Sequence, residues 1–393
     1  MKGRKIRENV YLLGAIDWNR RLFDALMPLP DGTSYNAYLV QGSQKTALID
    51  TVDPTKWEVL QHQLEGVAKI DHIVIQHMEQ DHSGSLPFVL QRYPQATVVT
   101  NPRCKGMLID HLHIAEDRFI TVEDGAKLQL GNKTLTFVYT PWVHLPETMS
   151  TWLEEDRVLF SCDFFASHLA TSDVWANETT TYEPAKRYYA EIMMPFASVI
   201  VKNLAKLKPY PVEAICPSHG PLYRRPAFIL EAYNEWATGE PKNMVCLPYV
   251  SMHGSTELLV HQLTASLVEQ GVAVQQFDLA VAELGQLALS LVDAATIVIG
   301  TPTVHAGPHP SVVSAAFIAN ALKPKAKYAT VIGSFGWGSK TVEKLVAMLD
   351  QLKVELLDPV MCKGQPRAAD YAALAQLANT IAAKHAALAS RDP

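Results

Sequence analysis

The stretch that most constrains this chain is His77-Met78-Glu79-Gln80-Asp81-His82, directly after the apolar run Ile73-Val74-Ile75. The apolar run has the composition of a strand, and a helix is expected soon after it, over 84–92. Four potential metal ligands therefore fall within six residues at the end of one strand. A single core histidine needs no special explanation. Two imidazoles and two carboxylates together are hard to explain as packing, because buried charges have to be paired or bound to a metal.

Further candidates occupy similar places. His144 lies in Pro141-Trp142-Val143-His144-Leu145-Pro146, after a strand expected over 135–139. Asp163 ends Phe160-Ser161-Cys162-Asp163, after a strand expected over 158–161, and His219 lies in Cys216-Pro217-Ser218-His219-Gly220, after one over 214–216. A lone loop histidine or aspartate is usually solvated; the order and shared setting of these three tie them to the first cluster. His168 is read as an ordinary loop residue or a group behind the ligands. His72, His111 and His113 are read as surface residues, and Cys162 and Cys216 as small core residues.

The chain has two grammars. Up to about residue 240, short apolar strands (10–16, 38–41, 46–50, 73–76, 96–100 and those above) mix with helices expected over 84–92, 185–207 and 227–236. This predicts layered sheets covered by helices. The polar run Thr238-Gly239-Glu240-Pro241-Lys242-Asn243 marks a boundary, giving expected domains 1–240 and 244–393. Beyond it, strands over 244–250, 272–277, 295–300, 328–334 and 354–357 alternate with helices over 256–270, 311–322, 340–351 and 369–387, the pattern of a doubly wound parallel sheet.

Ligands of such sheets sit at the carboxyl ends of the strands. Three loops fall there. Ser251-Met252-His253-Gly254-Ser255-Thr256 is rich in hydroxyls and opens a helix, so its N–H groups suit a phosphate dianion. It is neither a G-x-G-x-x-G nor a G-x-x-x-x-G-K-[ST] loop, which disfavours dinucleotides and nucleoside triphosphates. Pro302-Thr303-Val304-His305-Ala306 and Ser334-Phe335-Gly336-Trp337-Gly338 combine glycine or small residues with flat side chains, as the edge and faces of a planar ring require.

Composition excludes several classes. Hydrophobic residues make up 48% and charged residues 19%, and 34 Lys+Arg against 40 Asp+Glu leave a net charge of −6. That rules out disorder and argues against nucleic acid, which favours basic stripes. No apolar run approaches the ~18–20 residues of a membrane span. The five cysteines never form C-x-x-C, which argues against a disulfide framework, a thiolate zinc site or an iron–sulfur module. The basic start, Met1 to Asn9, lacks the apolar core of a secretory signal, so a cytoplasmic protein is expected.

The three C-terminal loops resemble the phosphate and ring loops of flavodoxin, which implies FMN. The N-terminal pattern resembles the metallo-β-lactamase fold, an αββα sandwich whose H-x-H-x-D-H motif and later His, Asp and His line two adjacent metals. Here Glu79 replaces the second histidine of the motif. Carboxylate for imidazole hardens the site, and mixed His/carboxylate shells are typical of oxygen-handling di-iron centres. H-x-E-x-D-H followed by a flavodoxin-like part is similar to the flavodiiron proteins (A-type flavoproteins), without a rubredoxin tail. The resemblance implies His77, Glu79 and His144 on one non-haem iron, Asp81, His82 and His219 on a second, and Asp163 as the bridge. Leu145 stands where many members carry Trp.

The resemblance further implies reduction of O₂ to water, of NO to N₂O, or both, with electrons passed through FMN from a donor such as rubredoxin or a reductase. A head-to-tail homodimer, or a dimer of dimers, is expected, and Arg224, Arg225 and Lys242 are candidates for donor contact. Two rivals are a zinc-dependent hydrolase fused to a flavodoxin and a metal-free electron carrier.

Overall fold

A computed structural model describes residues 3–389. The chain divides into two compact units: one made of the chain up to Tyr189 with Phe196–Ala237, the other of Ala190–Pro195 with the chain from Thr238 on. No described helix is long and apolar enough to cross a membrane.

The first unit is built on two sheets. Arg4–Arg7, Val10–Asp17, Thr33–Gln41, Thr46–Ile49, His72–Val74, Thr97–Thr100 and Phe119–Thr121 lie side by side in that order, the first four antiparallel and the rest parallel. The second sheet orders Lys127–Gln129, Thr134–Tyr139, Met149–Leu153, Val158–Cys162 and Ala214–Pro217, antiparallel except for the last pair.

Side chains alternate along a strand, and in the first sheet both sets are apolar. Leu12, Tyr38, Val40, Ala47 and Ile49 pack between the sheets with Leu135, Phe137, Leu153 and Phe160. Ala15, Ala37, Leu39 and Leu48 face the other way, onto Leu60, Val89 and Leu108 of helices Trp57–Gln63, Leu86–Arg92 and Pro102–Leu112. On the outer side of the second sheet, Leu159 and Ile215 share a cleft with Val201, Leu204 and Leu230 of helices Ala197–Leu207 and Pro226–Thr238. This is an αββα sandwich.

One glycine sets the closeness of two strands in the first sheet. Gly14 has φ +110°, and a Cβ there would lie 2.0 Å from the carbonyl oxygen of Tyr35. The Gln63 side chain fixes it further, accepting from the Gly14 N–H at 2.7 Å and donating to its C=O at 2.8 Å.

The second unit holds a parallel sheet. Its strands run Ala273–Asp278, Lys242–Tyr249, Ala294–Val304 and Tyr328–Phe335, and Glu355–Leu356 and Val360–Lys363 both pair with the last. Strand order reverses between Lys242–Tyr249 and Ala294–Val304, the switch point where doubly wound sheets bind ligands. Helices Ser255–Glu269 and Ala368–Ala389 close one core through Leu259, Leu263, Leu374 and Ile381.

The terminal helix is pinned by a buried imidazole. His385 donates from Nδ1 to Asn243 Oδ1 at 2.8 Å, and its Nε2 lies 2.7 Å from the Thr296 hydroxyl. Burial pushes its pKa down to about 4.

Several elements differ from expectation. The helix expected over 185–207 is broken into Glu178–Tyr188, a π turn at Tyr189–Met193, a tight turn at Met194–Phe196, and Ala197–Leu207. Pro195 lacks an N–H and its ring crowds the preceding turn. Helix Leu284–Asp293 has no counterpart among the expected elements, because its apolar positions run without a break into the strand Ala294–Val304. The strand expected over 354–357 shrinks to Glu355–Leu356, and Val360–Lys363 extends the edge. His72 is buried rather than exposed; it opens strand His72–Val74, and its Nδ1 lies 2.9 Å from Thr97 Oγ1.

Gly14→Ala should destabilise the first unit by about 2–4 kcal/mol, from overpacking plus positive-φ strain, read as a lower denaturant midpoint. A His385→Gln comparison tests the second unit. The unfolded ring titrates near 6.5 and the folded ring near 4, so the unfolded state takes up a proton that the native state refuses. The stability present above about pH 6.5 should fall by up to about 3 kcal/mol as pH drops toward 4. The variant should lack that part of the slope.

Candidate metal centre

Strand ends carry the side chains of the cluster, except His144, which lies in the connection between Thr134–Tyr139 and Met149–Leu153. After His72–Val74 the chain leaves the sheet at Gln76, whose backbone N–H and side-chain amide both donate to Asp50, at 2.8 Å each. His77 and Glu79 follow, and a short helix, Gln80–Ser83, turns Asp81 and His82 inward; the Glu79 carbonyl accepts from the N–H groups of His82 and Ser83. Asp163 comes just past Val158–Cys162.

His219 follows Ala214–Pro217 in a loop clamped to strand Thr33–Gln41. Asn36 donates from Nδ2 to the carbonyls of Pro217 and Gly220, at 2.9 and 2.8 Å, and its N–H donates to that of Ser218. His219 Nδ1 donates to the Ser34 carbonyl at 2.6 Å, which turns Nε2 inward. Gly220 has φ +78°, and a Cβ there would lie 2.1 Å from Ser167 Oγ.

These loops bring all seven expected ligands into two adjoining groups. His77, Glu79, His144 and Asp163 form one, with donor atoms within 4.8 Å of one another; Asp81, His82 and His219 form the other on the same measure. In the first, Glu79 Oε2 is 3.2 Å from His77 Nε2 and 3.1 Å from His144 Nε2. In the second, Asp81 reaches His82 Nε2 at 3.3 Å and His219 Nε2 at 3.1 Å. Asp163 touches both: Oδ2 is 3.5 Å from His77 Nε2 and 3.4 Å from His144 Nε2, while Oδ1 is 3.1 Å from His82 Nε2 and 3.5 Å from His219 Nε2. Only Glu79 and His144 retain appreciable exposure, with side chains 24% and 20% exposed, so the cluster opens on their side.

The electrostatics are those of a cation site. Burial opposes charge on Asp163, but the surrounding imidazoles win and hold its carboxyl well below the usual range. Burial likewise opposes charge on His82 and His144, yet Asp163 with Asp81 raises the first to about 10, and Asp163 with Glu79 raises the second to about 9. Both oxygens of Asp81, Oδ2 of Asp163 and Nε2 of His82 are buried without a hydrogen bond. A donor set of converging, unsatisfied carboxylates and imidazoles suits two cations, and its carboxylate share favours a harder ion than thiolate-rich sites take.

Some residues around the cluster are absent from the sequence reading. Glu147, fully buried, lies 2.9 Å from His77 Nδ1 and accepts from the Met78 N–H at 3.1 Å. Its only sequence signal is an acidic residue beside Pro146 in the His144 loop. Ser218 Oγ donates to Asp163 Oδ1 at 2.5 Å, and Asp50, pushed up to about 6 by burial, anchors Gln76. His168 is buried rather than an ordinary loop residue. Its Nδ1 lies 2.9 Å from Thr33 Oγ1, its ring centroid 5.0 Å from that of His219, and burial holds its pKa well down.

In the second unit the three expected cofactor loops lie at the carboxyl ends of neighbouring strands. Ser251, Met252, His253 and Gly254 lead into helix Ser255–Glu269, where Thr256 Oγ1 is 3.4 Å from Ser334 Oγ at the end of Tyr328–Phe335. Pro302, Thr303 and Val304 end Ala294–Val304, and His305 and Ala306, both at positive φ, make a two-residue hairpin to Gly307–Pro308. Thr303 Oγ1 meets Ser339 Oγ at 2.9 Å and Thr341 Oγ1 at 3.2 Å. A Cβ added at Gly254, Gly336 or Gly338 would meet nothing within 4 Å, and Trp337 is 90% exposed, so these loops leave room for a planar group.

The three cations considered for donor contact each have a partner of their own. Arg225 pairs with Glu178, Arg224 lies over the Trp175 ring, and Lys242 is 3.2 Å from Asp293.

Comparison with known proteins follows this division. Residues 33–220 match a family model described as ODP family beta lactamase. The nitric oxide reductase of Moorella thermoacetica is 34% identical over 392 residues, covering 96% of this chain and 98% of that protein. The solved rubredoxin oxygen:oxidoreductase of Desulfovibrio gigas superposes with a TM-score of 0.95 at 32% identity, covering 98% and 99%. The flavodiiron protein of Giardia intestinalis does so with a TM-score of 0.94 at 25% identity, covering 100% and 98%. On its fold, its site and these full-length likenesses, the chain belongs to the flavodiiron (type A flavoprotein) family.

Proposed function

We propose that this protein is an oxidoreductase that reduces O₂ to water, NO to N₂O, or both, at a non-haem di-iron centre fed by FMN. The observation that carries the reading is the buried cluster in which Glu79 takes the place of an imidazole and Asp163 reaches both ligand groups. When bound, the iron pair and the flavin supply electrons, four with four protons for each O₂ and two with two protons for each pair of NO.

The chain's own part is to position and enclose. His77, Glu79 and His144 would hold one iron and Asp81, His82 and His219 the other, with Asp163, which reaches both groups, available to each. The carboxylates offset the positive charge of the pair inside a buried pocket. Diatomic substrates enter on the Glu79–His144 side, the only part of the cluster with appreciable exposure.

Ser251, Met252, His253, Gly254, Ser255 and Thr256 would take the FMN phosphate at the start of helix Ser255–Glu269, whose N-cap Gly254 offers no side-chain cap. Pro302, Thr303, Val304, His305 and Ala306 would hold the ring together with Ser334, Phe335, Gly336, Trp337 and Gly338. Residues 1–240 thus form the di-iron domain and 244–393 the flavin domain. A head-to-tail dimer sets the flavin of one chain against the irons of its partner, and a redox protein such as rubredoxin is the donor. Five buried, unbridged cysteines accord with a reducing cytoplasm.

Protein from iron-replete cells should carry two irons and one FMN per chain; zinc with hydrolytic activity, or flavin without metal, would contradict the proposal. Chemically reduced protein should consume O₂ or NO at an electrode. Asp163→Ala should lower that rate by more than about 100-fold, beyond the usual cost of an outer-sphere change, while FMN is retained.

A further inference from the structure

We infer that the two metal subsites are unequal, and that Glu147 is the positioning residue that makes the His77–Glu79–His144 subsite the tighter one. The inference rests on the di-iron reading above and extends it to the groups behind the ligands.

The outer nitrogens of the histidines are held differently. His77 Nδ1 lies 2.9 Å from Glu147 Oε1, with both side chains fully buried. That carboxylate is fixed by the Met78 N–H at 3.1 Å, and its other oxygen has no hydrogen bond. Its charge is therefore directed at His77. His219 Nδ1, by contrast, donates to the neutral Ser34 carbonyl. The other buried carboxylate nearby, Asp50, is bonded through both oxygens to Gln76. A carboxylate behind a ligating imidazole fixes its tautomer and raises its basicity.

Asp163 adds to the inequality. Its Oδ1, facing His82 and His219, accepts a hydrogen bond from Ser218, which draws electron density from that oxygen. Its Oδ2, facing His77 and His144, accepts none. Both asymmetries favour the same subsite, which is also the one open to arriving ions.

The test uses the full-length chain with its flavin, stripped of metal, and Co²⁺ as the probe in anaerobic calorimetry. Wild type should bind two Co²⁺ in two steps. Glu147→Gln keeps the shape and an acceptor for His77 but removes the charge; it should weaken the tighter step by about 10–100-fold and leave the other within about threefold. Thr148→Val alters a neutral neighbour 3.2 Å from the same His77 nitrogen and should preserve both steps.

A measurement on wild type needs no variant. Crystals grown with one equivalent of Co²⁺ should show anomalous density among His77, Glu79 and His144. Density between Asp81, His82 and His219 instead would overturn the inference, as would equal weakening of both steps or no change in Glu147→Gln. Failure of wild type to bind any Co²⁺ would instead sink the di-iron reading itself.

Discussion

The structure of the first unit turns on negative charge held where water cannot reach it. Asp163 is fully buried, with one oxygen free of hydrogen bonds, and Asp81 is buried with both oxygens free. Leaving such groups uncompensated costs several kcal/mol per ion. The neighbouring carboxylates favour the protonated rings of His77, His82 and His144, which supply compensation, and metal ions would supply it in their place by displacing those protons. The backbone is arranged to keep the groups together: Asp50 holds Gln76 beside His77, and Asn36 ties the His219 loop to a strand of the other sheet. A site assembled this way belongs to the packing of the sandwich as much as to any motif.

The gathering of the seven expected residues is legible in the sequence because each follows an apolar strand, and strand ends in layered sheets converge on one edge. Glu79 was informative for its chemistry, a carboxylate where zinc enzymes of this fold use imidazole. Glu147, Ser218, Asn36 and Asp50 were not legible. Each acts on a partner far away in the chain or through a backbone atom, as Asn36 does across 181 residues to Pro217. Spacing within one segment carries no trace of such contacts.

Fold elements divide in the same way. The strands that carry the ligands were bounded by polar turns and fell close to where they were expected. The break at Pro195 leaves no mark on the apolar spacing, which continues on both sides of it. Helix Leu284–Asp293 was hidden because its apolar stripe merges with the following strand. The burial of His72 and His168 is not legible in the sequence, since burial depends on what the other layers bring against a residue, which neither its neighbours nor its type reveals.

The proposed centre is a pair of irons bridged by Asp163. Anomalous diffraction at the iron absorption edge, from crystals of the iron-loaded protein, tests it most directly. Two separate iron peaks are expected, one against His77, Glu79 and His144, the other against Asp81, His82 and His219, with Asp163 between them. A single peak, or Glu79 turned away into solvent, would contradict it.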